Sequence, residues 1–423
     1  MSKFVTAATI LAPLRYIGMS KRAPDFPLPD QRQPILTEFR QLKMAESAHA
    51  YVRGSTTRFY EWLEGVDRRT LPEGPPVWIC GDCHVGNLGP VANTAGLVEI
   101  QIRDLDQTVI GNPAHDLIRL GLSLAMAARS SDLPGVTTAR MLERMIDGYE
   151  QAFEQDESES SVYMPTTVKL ALRQAGKRSW KHLADERIEG SDPAIPLGKR
   201  FWPLADAEHE ALHELFGQDD LRRLGTSLRG RDDGAAIEVI DTAYWRKGCS
   251  SLGRLRFAVL LAVRDKAGKD VSHCLMDVKE AVAAVASHSA DAAMPSDNAE
   301  RVVEGARNLS PFLGGRMLAT RLLERSVFVR ELLPQDLKLE LEQLSREEAM
   351  KAAHYLAVVV GHAHARQMQP ADRKRWRTEM QRNRSRTLDA PTWLWSSIVD
   401  LVAAHEAAYL EHCRKYALAA KAA

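Results

Sequence analysis

Cysteine is scarce in this chain, with five in 423 residues. Two of them, Cys80 and Cys83, lie close together and the others are scattered, so no disulfide framework is indicated and a reducing cytoplasm suits the protein. An excess of charge of one sign is also missing. Lys plus Arg and Asp plus Glu each total 56, which leaves no overall field to draw the protein onto nucleic acid or an anionic membrane. No apolar run approaches the roughly 20 residues of a membrane helix. The best, Leu356 to Gly361, is interrupted by His354 and His362. The N-terminal stretch has one leading Lys and no clean cleavage site, and reads as an arm and not a signal peptide. With 45% apolar and 26% charged residues, the sequence predicts a soluble, cytoplasmic globular protein of two or three packed units.

Helical spacing runs through residues 35–64, with a polar break at Arg53-Gly54-Ser55. Pro75-Pro76 then releases a short strand, Val77 to Cys80, which ends in Gly81-Asp82. A hairpin follows, from Leu88 to Val91 and from Leu97 to Ile102, and its second strand delivers Arg103-Asp104-Leu105-Asp106. A helix begins after Pro113. The stretch 137–240 reads as largely helical and charged. From Lys247, a glycine-containing loop, Gly248-Cys249-Ser250-Ser251-Leu252-Gly253, opens an antiparallel hairpin with Lys279 at the end of its returning strand. A helix over 298–308, a strand over 326–331 and helices over 346–367 and 392–416 complete the pattern.

The first chemical signal is the segment Gly81-Asp82-Cys83-His84-Val85-Gly86-Asn87 with Asp104 beyond the hairpin. Phosphoryl transfer asks its enzyme to hold magnesium, neutralise phosphate charge and orient the acceptor. Asp82 suits the acceptor hydroxyl, while Asn87 and Asp104 offer the hard oxygens that magnesium wants, with Asp106 as a further candidate ligand. His84 reads as a structural residue that fixes the loop by hydrogen bonds, and Asp116 as a cap or loop anchor. These residues resemble the catalytic loop Gly-Asp-x-His-x-x-Asn and the later Gly-x-Pro-x-x-Asp-Leu of the aminoglycoside phosphotransferase and choline kinase branch of the protein-kinase-like superfamily. The matches are Gly81, Asp82, His84 and Asn87, then Asp104, Gly111, Pro113, Asp116 and Leu117. By average residue frequencies the first motif alone arises by chance in roughly one chain of this length per thousand.

Nucleotide phosphates are commonly covered by a close-approaching loop and paired with a strand-borne Lys held by a helix Glu. Gly248, Ser250, Ser251 and Gly253, then Lys279, then Glu304 fill those places, with Glu300 a rival for the last. In ordinary kinases this half precedes the catalytic Asp, whereas here it follows by more than 160 residues. The resemblance therefore implies an α+β, two-lobed, kinase-like fold in circularly permuted order. An arm and helix occupy 1–45. The catalytic-loop part of the larger helical lobe follows over 46–245, then a nucleotide-covering β-rich lobe over 246–335, and helices completing the larger lobe over 336–423. Tyr355 to Arg366 resembles the helix that precedes the catalytic loop. The resemblance implies ATP and magnesium as ligands and an unidentified hydroxyl acceptor.

Nearly the whole chain also resembles an uncharacterised bacterial family, domain of unknown function 2252, through Lys43-Met44-Ala45, Val278-Lys279-Glu280-Ala281, Arg301 to Gly305 and Ala363 to Arg366 among other stretches. Two departures bear on function. Ser250 stands where that pattern has glycine, and Gln107 stands where it has glutamate. A serine there holds the backbone further from phosphates, which keeps open an alternative, a catalytically inactive nucleotide-binding or regulatory module, although Asp82, Asn87 and Asp104 argue for catalysis. A metal phosphohydrolase using His84, His115 and Asp116 is a weaker alternative. Cys80-x-x-Cys83-His84 also matches a haem-attachment spelling, although packing suits both cysteines better. His362 and His364, two apart, point to different helix faces and read as core or interface.

Overall fold

The computed structural model describes all residues except 1–25, 132, 155–162, 189–192, 229–230, 233, 250, 266–270, 338, 340–343, 383–389 and 418–423. Pro29 opens α1 (Pro29–Ala45), where its missing N–H is no loss. Ser47 accepts the Ala50 N–H and caps α2 (Ala48–Gly54), with α3 (Thr56–Gly65) close behind. Short strands β1 (Val77–Ile79), β2 (Leu88–Ala92), β3 (Val98–Ile102) and β4 (Val109–Gly111) form two antiparallel pairs, β1 with β4 and β2 with β3. Helices α4 (Ala114–Ser130), α5 (Gly135–Gln151), α6 (Thr166–Lys177) and α7 (Trp180–Arg187) follow. Next come β5 (Phe201–Trp202), α8 (Asp206–Phe216), α9 (Asp219–Thr226), β6 (Ala236–Trp245), β7 (Arg256–Arg264) and β8 (Val271–Glu280). Asp297 accepts two backbone N–H groups at the start of α10 (Asn298–Leu309). The chain continues through α11 (Pro311–Gly314), β9 (Met317–Leu322), β10 (Arg325–Glu331), α12 (Arg346–Ala365), α13 (Pro370–Met380) and α14 (Thr392–His412).

The architecture is mixed α and β, with helix the larger share at 52% and strand 17%. One six-stranded antiparallel sheet, ordered β5-β6-β7-β8-β10-β9, dominates the strand content. It begins earlier in the chain than expected. The stretch 137–240, whose sequence predicts mostly helix, holds β5 and half of β6. In β6 exposure alternates from Ala236 to Asp241, but the adjacent apolar pair Val239-Ile240, where the register shifts, breaks the period of two in the sequence. A boundary at 246 therefore falls inside the β6–β7 hairpin.

Side-chain alternation gives the sheet two faces. Phe257, Val259, Leu261, Met276, Val278 and Val329 form a core with Leu36 of α1 and leucines of α8 and α9. Ala258, Leu260 and Leu275 pack on the opposite side with Trp245 and Leu183 of α7. A larger core joins the two strand pairs to α4, α5, α10, α12 and α14. Among the described residues no helix is long and apolar enough to cross a membrane.

Candidate active site

Strand β1 delivers the backbone into a tight turn at Gly81, whose φ is +73°. A Cβ there would lie 2.1 Å from the Gln107 carbonyl oxygen, so glycine is required by both conformation and space. Asp116, in the first turn of α4, accepts the Cys80 N–H at 2.7 Å and the Gly81 N–H at 2.9 Å. The anchoring role expected of Asp116 is thus realised. Behind it stands His364 of α12, Nε2 at 3.2 Å from the same carboxylate, with its Nδ1 2.8 Å from the Tyr149 hydroxyl. His364 is fully buried in the core.

Asp82 accepts hydrogen bonds from Arg119 Nε at 2.9 Å and from the Thr56 hydroxyl at 2.9 Å. Burial pushes its carboxyl above the ordinary value, and Arg119 and Thr56 oppose that shift. Asn87 Nδ2 donates to the Asp82 carbonyl at 3.0 Å, closing the loop on itself. His84 departs from expectation. Its ring is buried, Nδ1 has no hydrogen-bond partner and Nε2 stands 3.9 Å from Asp82, while burial and then Arg53 push its pKa well down. Packing beside Gly86, and not hydrogen bonding through the ring, holds it.

Lys279 reaches this acidic loop from β8. Its Nζ donates to Asp104 Oδ1 at 3.4 Å and lies 2.5 Å from Asp106 Oδ2. The ammonium thus pairs with both carboxylates, and Arg254 stands 3.7 Å from the same Asp106 oxygen. Burial works against ionising Asp104, but Lys279 and Arg330 hold its carboxyl well below the usual range; burial, and then the charge of Asp104, raise that of Asp106. Asp104, with a side chain 42% exposed, faces a pocket, whereas Asp106 sits behind it at 10%.

Glu304 does not brace Lys279. It meets Arg307 and Asn308 on the outer side of α10, and Glu300 is exposed near the helix start. The inner side of α10 carries Arg301, which donates to the carbonyls of Asp106, Thr108 and Val282 and so clamps the segment bearing the two acids. Neither acid of the helix meets Lys279, which Asp104 and Asp106 partner directly.

The loop 246–255 joins β6 to β7. Gly248 has φ +100°, and a Cβ on it would lie 2.3 Å from the Ser251 hydroxyl oxygen. Lys43 Nζ donates to the Gly248 carbonyl at 2.8 Å, tying the loop to α1. Gly248, Cys249 and Ser251 line the pocket. Gly253 instead packs on Gln33 of α1, so it serves the loop's seating and not the pocket. Ser250 lies outside the described residues.

These groups share a pocket of about 420 Å³ that holds Asp82, Asn87, Asp104 and Lys279 together. Its remaining wall is strongly cationic, built from arginines and lysines dispersed through the sequence. The register of the sheet sets Arg256 of β7 and Phe328 of β10 beside Lys279, and Arg330 beside Asp277. Asp277, fully buried, binds Arg256 through both oxygens at 2.8 and 2.6 Å and meets Arg330 at 3.4 Å. A period-two signal was available, since Asp277 and Lys279 are two apart and follow the apolar run Cys274-Leu275-Met276 of β8. Lys247 lies 4.1 Å from the Trp245 ring centroid, and burial, then Arg256, push its ammonium well below the usual value.

Cys80 and Cys83 are buried, free thiols. Among the described residues no three His, Cys, Asp or Glu side chains cluster as a metal centre. His115 lines a separate cavity with Pro72 and His288, so His84, His115 and Asp116 do not converge as a hydrolase centre would require.

Residues 32–415 match the family described as "Uncharacterized protein conserved in bacteria (DUF2252)". The chain belongs to this family. No curated protein and no solved structure matches it.

Proposed function

We propose that this DUF2252 member is a magnesium-dependent phosphotransferase that moves a phosphoryl group from ATP to a hydroxyl, on a kinase-like fold in permuted order. The observation that carries the reading is the meeting of Lys279 with Asp104, at 3.4 Å across 175 residues of sequence, in a pocket that also holds Asp82 and Asn87. A metal-and-acceptor half and a phosphate-neutralising half, encoded far apart, face one another. The antiparallel order β6-β7-β8-β10-β9, with α10 inserted between β8 and β9, adds support, because it sets a glycine-bearing hairpin loop and a strand lysine over one pocket.

Magnesium takes one or two protein oxygens and completes its shell with water and phosphate. Asn87 and Asp104, both pocket-lining, fit that donor set and would hold it. When bound, the ion offsets charge on the phosphate oxygens. Lys279, Arg256 and Arg330 neutralise the donor phosphates, with Asp106 and Asp277 fixing where these cations stand. Asp82, its carboxyl raised by burial, receives the hydroxyl proton. The acceptor oxygen bonds to the γ-phosphorus as the bond from that phosphorus to the bridging oxygen breaks, and the nucleoside diphosphate departs with the electron pair.

Magnesium-dependent ATP binding and turnover test this directly. Wild type is expected to bind ATP only with the metal, Lys279→Ala and Asp104→Asn to bind at least about tenfold more weakly, and Asp82→Asn to bind but not transfer. Failure of the wild type to bind refutes the reading. Binding without turnover across an acceptor screen favours an inactive nucleotide-binding module, a second reading prompted by the engagement of Lys279 with both Asp104 and Asp106.

A further inference from the structure

Position, charge balance and the shape of the pocket bear on which hydroxyl is phosphorylated. The acceptor end is marked by Asp82, and Arg119 stitches α2 beside it, donating to Asp82 Oδ1 at 2.9 Å and to the Val52 carbonyl at 2.5 Å. The next residue, Arg53, therefore stands at that end. Glu46 at the end of α1, and Ala50 and Arg53 one helical turn apart on α2, share the pocket wall. A Cβ on Gly86 would approach Arg53 Nε to 3.2 Å, so the guanidinium abuts the catalytic loop itself.

Several cations of the pocket already have a carboxylate partner. Arg256 and Arg330 share Asp277, and Lys279 has Asp104 and Asp106. An adjoining cavity of about 200 Å³ shares Arg103, Arg187, Lys247 and Arg330 with the first pocket. Those four lie between the two cavities, where an extended polyphosphate would run. Arg53 lines the first cavity alone. Among the described residues it forms no ion pair, although Glu46, Asp82 and Asp104 line the same pocket. A half-buried arginine beside a nucleophile site, left without a counter-ion, is completed by an anion from the ligand.

We propose that the acceptor is a small molecule carrying a phosphate in addition to its reactive hydroxyl, and that Arg53 binds this phosphate. The inference rests on the phosphotransferase reading. The volume of the pocket, about 420 Å³, suits a small molecule, and its surplus positive charge disfavours cationic acceptors such as aminoglycosides or choline.

The test uses the full chain saturated with magnesium and a non-hydrolysable ATP analogue, titrated calorimetrically with glycerol 3-phosphate, inorganic phosphate, glycerol and choline. The phosphate probes are expected to bind at least about tenfold more tightly than glycerol or choline. Arg53→Gln should abolish that preference, and Arg53→Lys should retain part of it, with melting temperatures confirming that both variants fold. Phosphate probes that bind more weakly than millimolar, or no better than choline, overturn the inference. It also falls if Arg53→Gln weakens the nucleotide analogue and spares the phosphate preference. If the analogue itself does not bind to wild type, the phosphotransferase reading fails and the inference with it.

Discussion

Replacing Asp277 by alanine should destabilise the protein sharply. Asp277 is fully buried, takes two hydrogen bonds from Arg256 and lies 3.4 Å from Arg330. Its loss leaves two arginines facing one another without the carboxylate that compensates them. Breaking a buried pair from one side costs about 3–5 kcal/mol. At about 2.1 cal/mol/K per residue, a chain of 423 residues has an unfolding entropy near 0.9 kcal/mol/K, so the expected fall in melting temperature is about 3–6 °C. Arg256→Met placed on top of Asp277→Ala should recover part of the loss, since it removes one uncompensated charge. Burial works against the ionised Asp277 carboxyl, but Arg256 and Arg330 hold its pKa well below the ordinary range. Its contribution is therefore full above the unfolded-chain value of about 3.9 and drains away as pH falls below that. Wild type and variant should converge in acid. Thermal unfolding followed by circular dichroism across pH decides the matter: a variant within about 1 °C of wild type at neutral pH refutes the reasoning.

Two further variants probe the site's construction. Gly81→Ala puts a Cβ 2.1 Å from the Gln107 oxygen at a φ of +73°, and should cost at least about 2 kcal/mol, read from denaturant unfolding; an unchanged midpoint contradicts it. Glu304→Gln should leave ATP affinity within about twofold, since Glu304 engages Arg307 and Asn308; a tenfold loss by calorimetry would restore the expected helix brace.

The acidic half was legible because one short segment carries it. Glycine at 81, Asp82 and Asn87 lie in one seven-residue loop, and the hairpin that brings Asp104 back is written in local alternation and turn residues. The anchoring of the loop by Asp116 was legible for the same reason. The partner of Lys279 was not. Both Glu300 and Glu304 sit on the expected helix, but which face of α10 turns inward is decided by Gly305, where a Cβ would lie 2.4 Å from the Thr108 side chain, and by the buried Arg301. That choice depends on tertiary packing. The cationic wall was hidden similarly, because Arg53, Lys247, Arg256 and Arg330 are dispersed through the chain and meet only by strand register and the seating of α2.

The tie between Asp116 and His364 spans 248 residues, and that separation governs when the site matures. Contacts so distant in sequence form late, after the entropy of closing a long loop has been met. During synthesis from the N-terminus, the segment bearing Asp82 emerges well before α12 exists to support it. The nascent chain must then hold an acidic, glycine-hinged loop without its histidine buttress. A truncation ahead of His364 removes the support for the loop while leaving the motif from Gly81 to Asn87 intact.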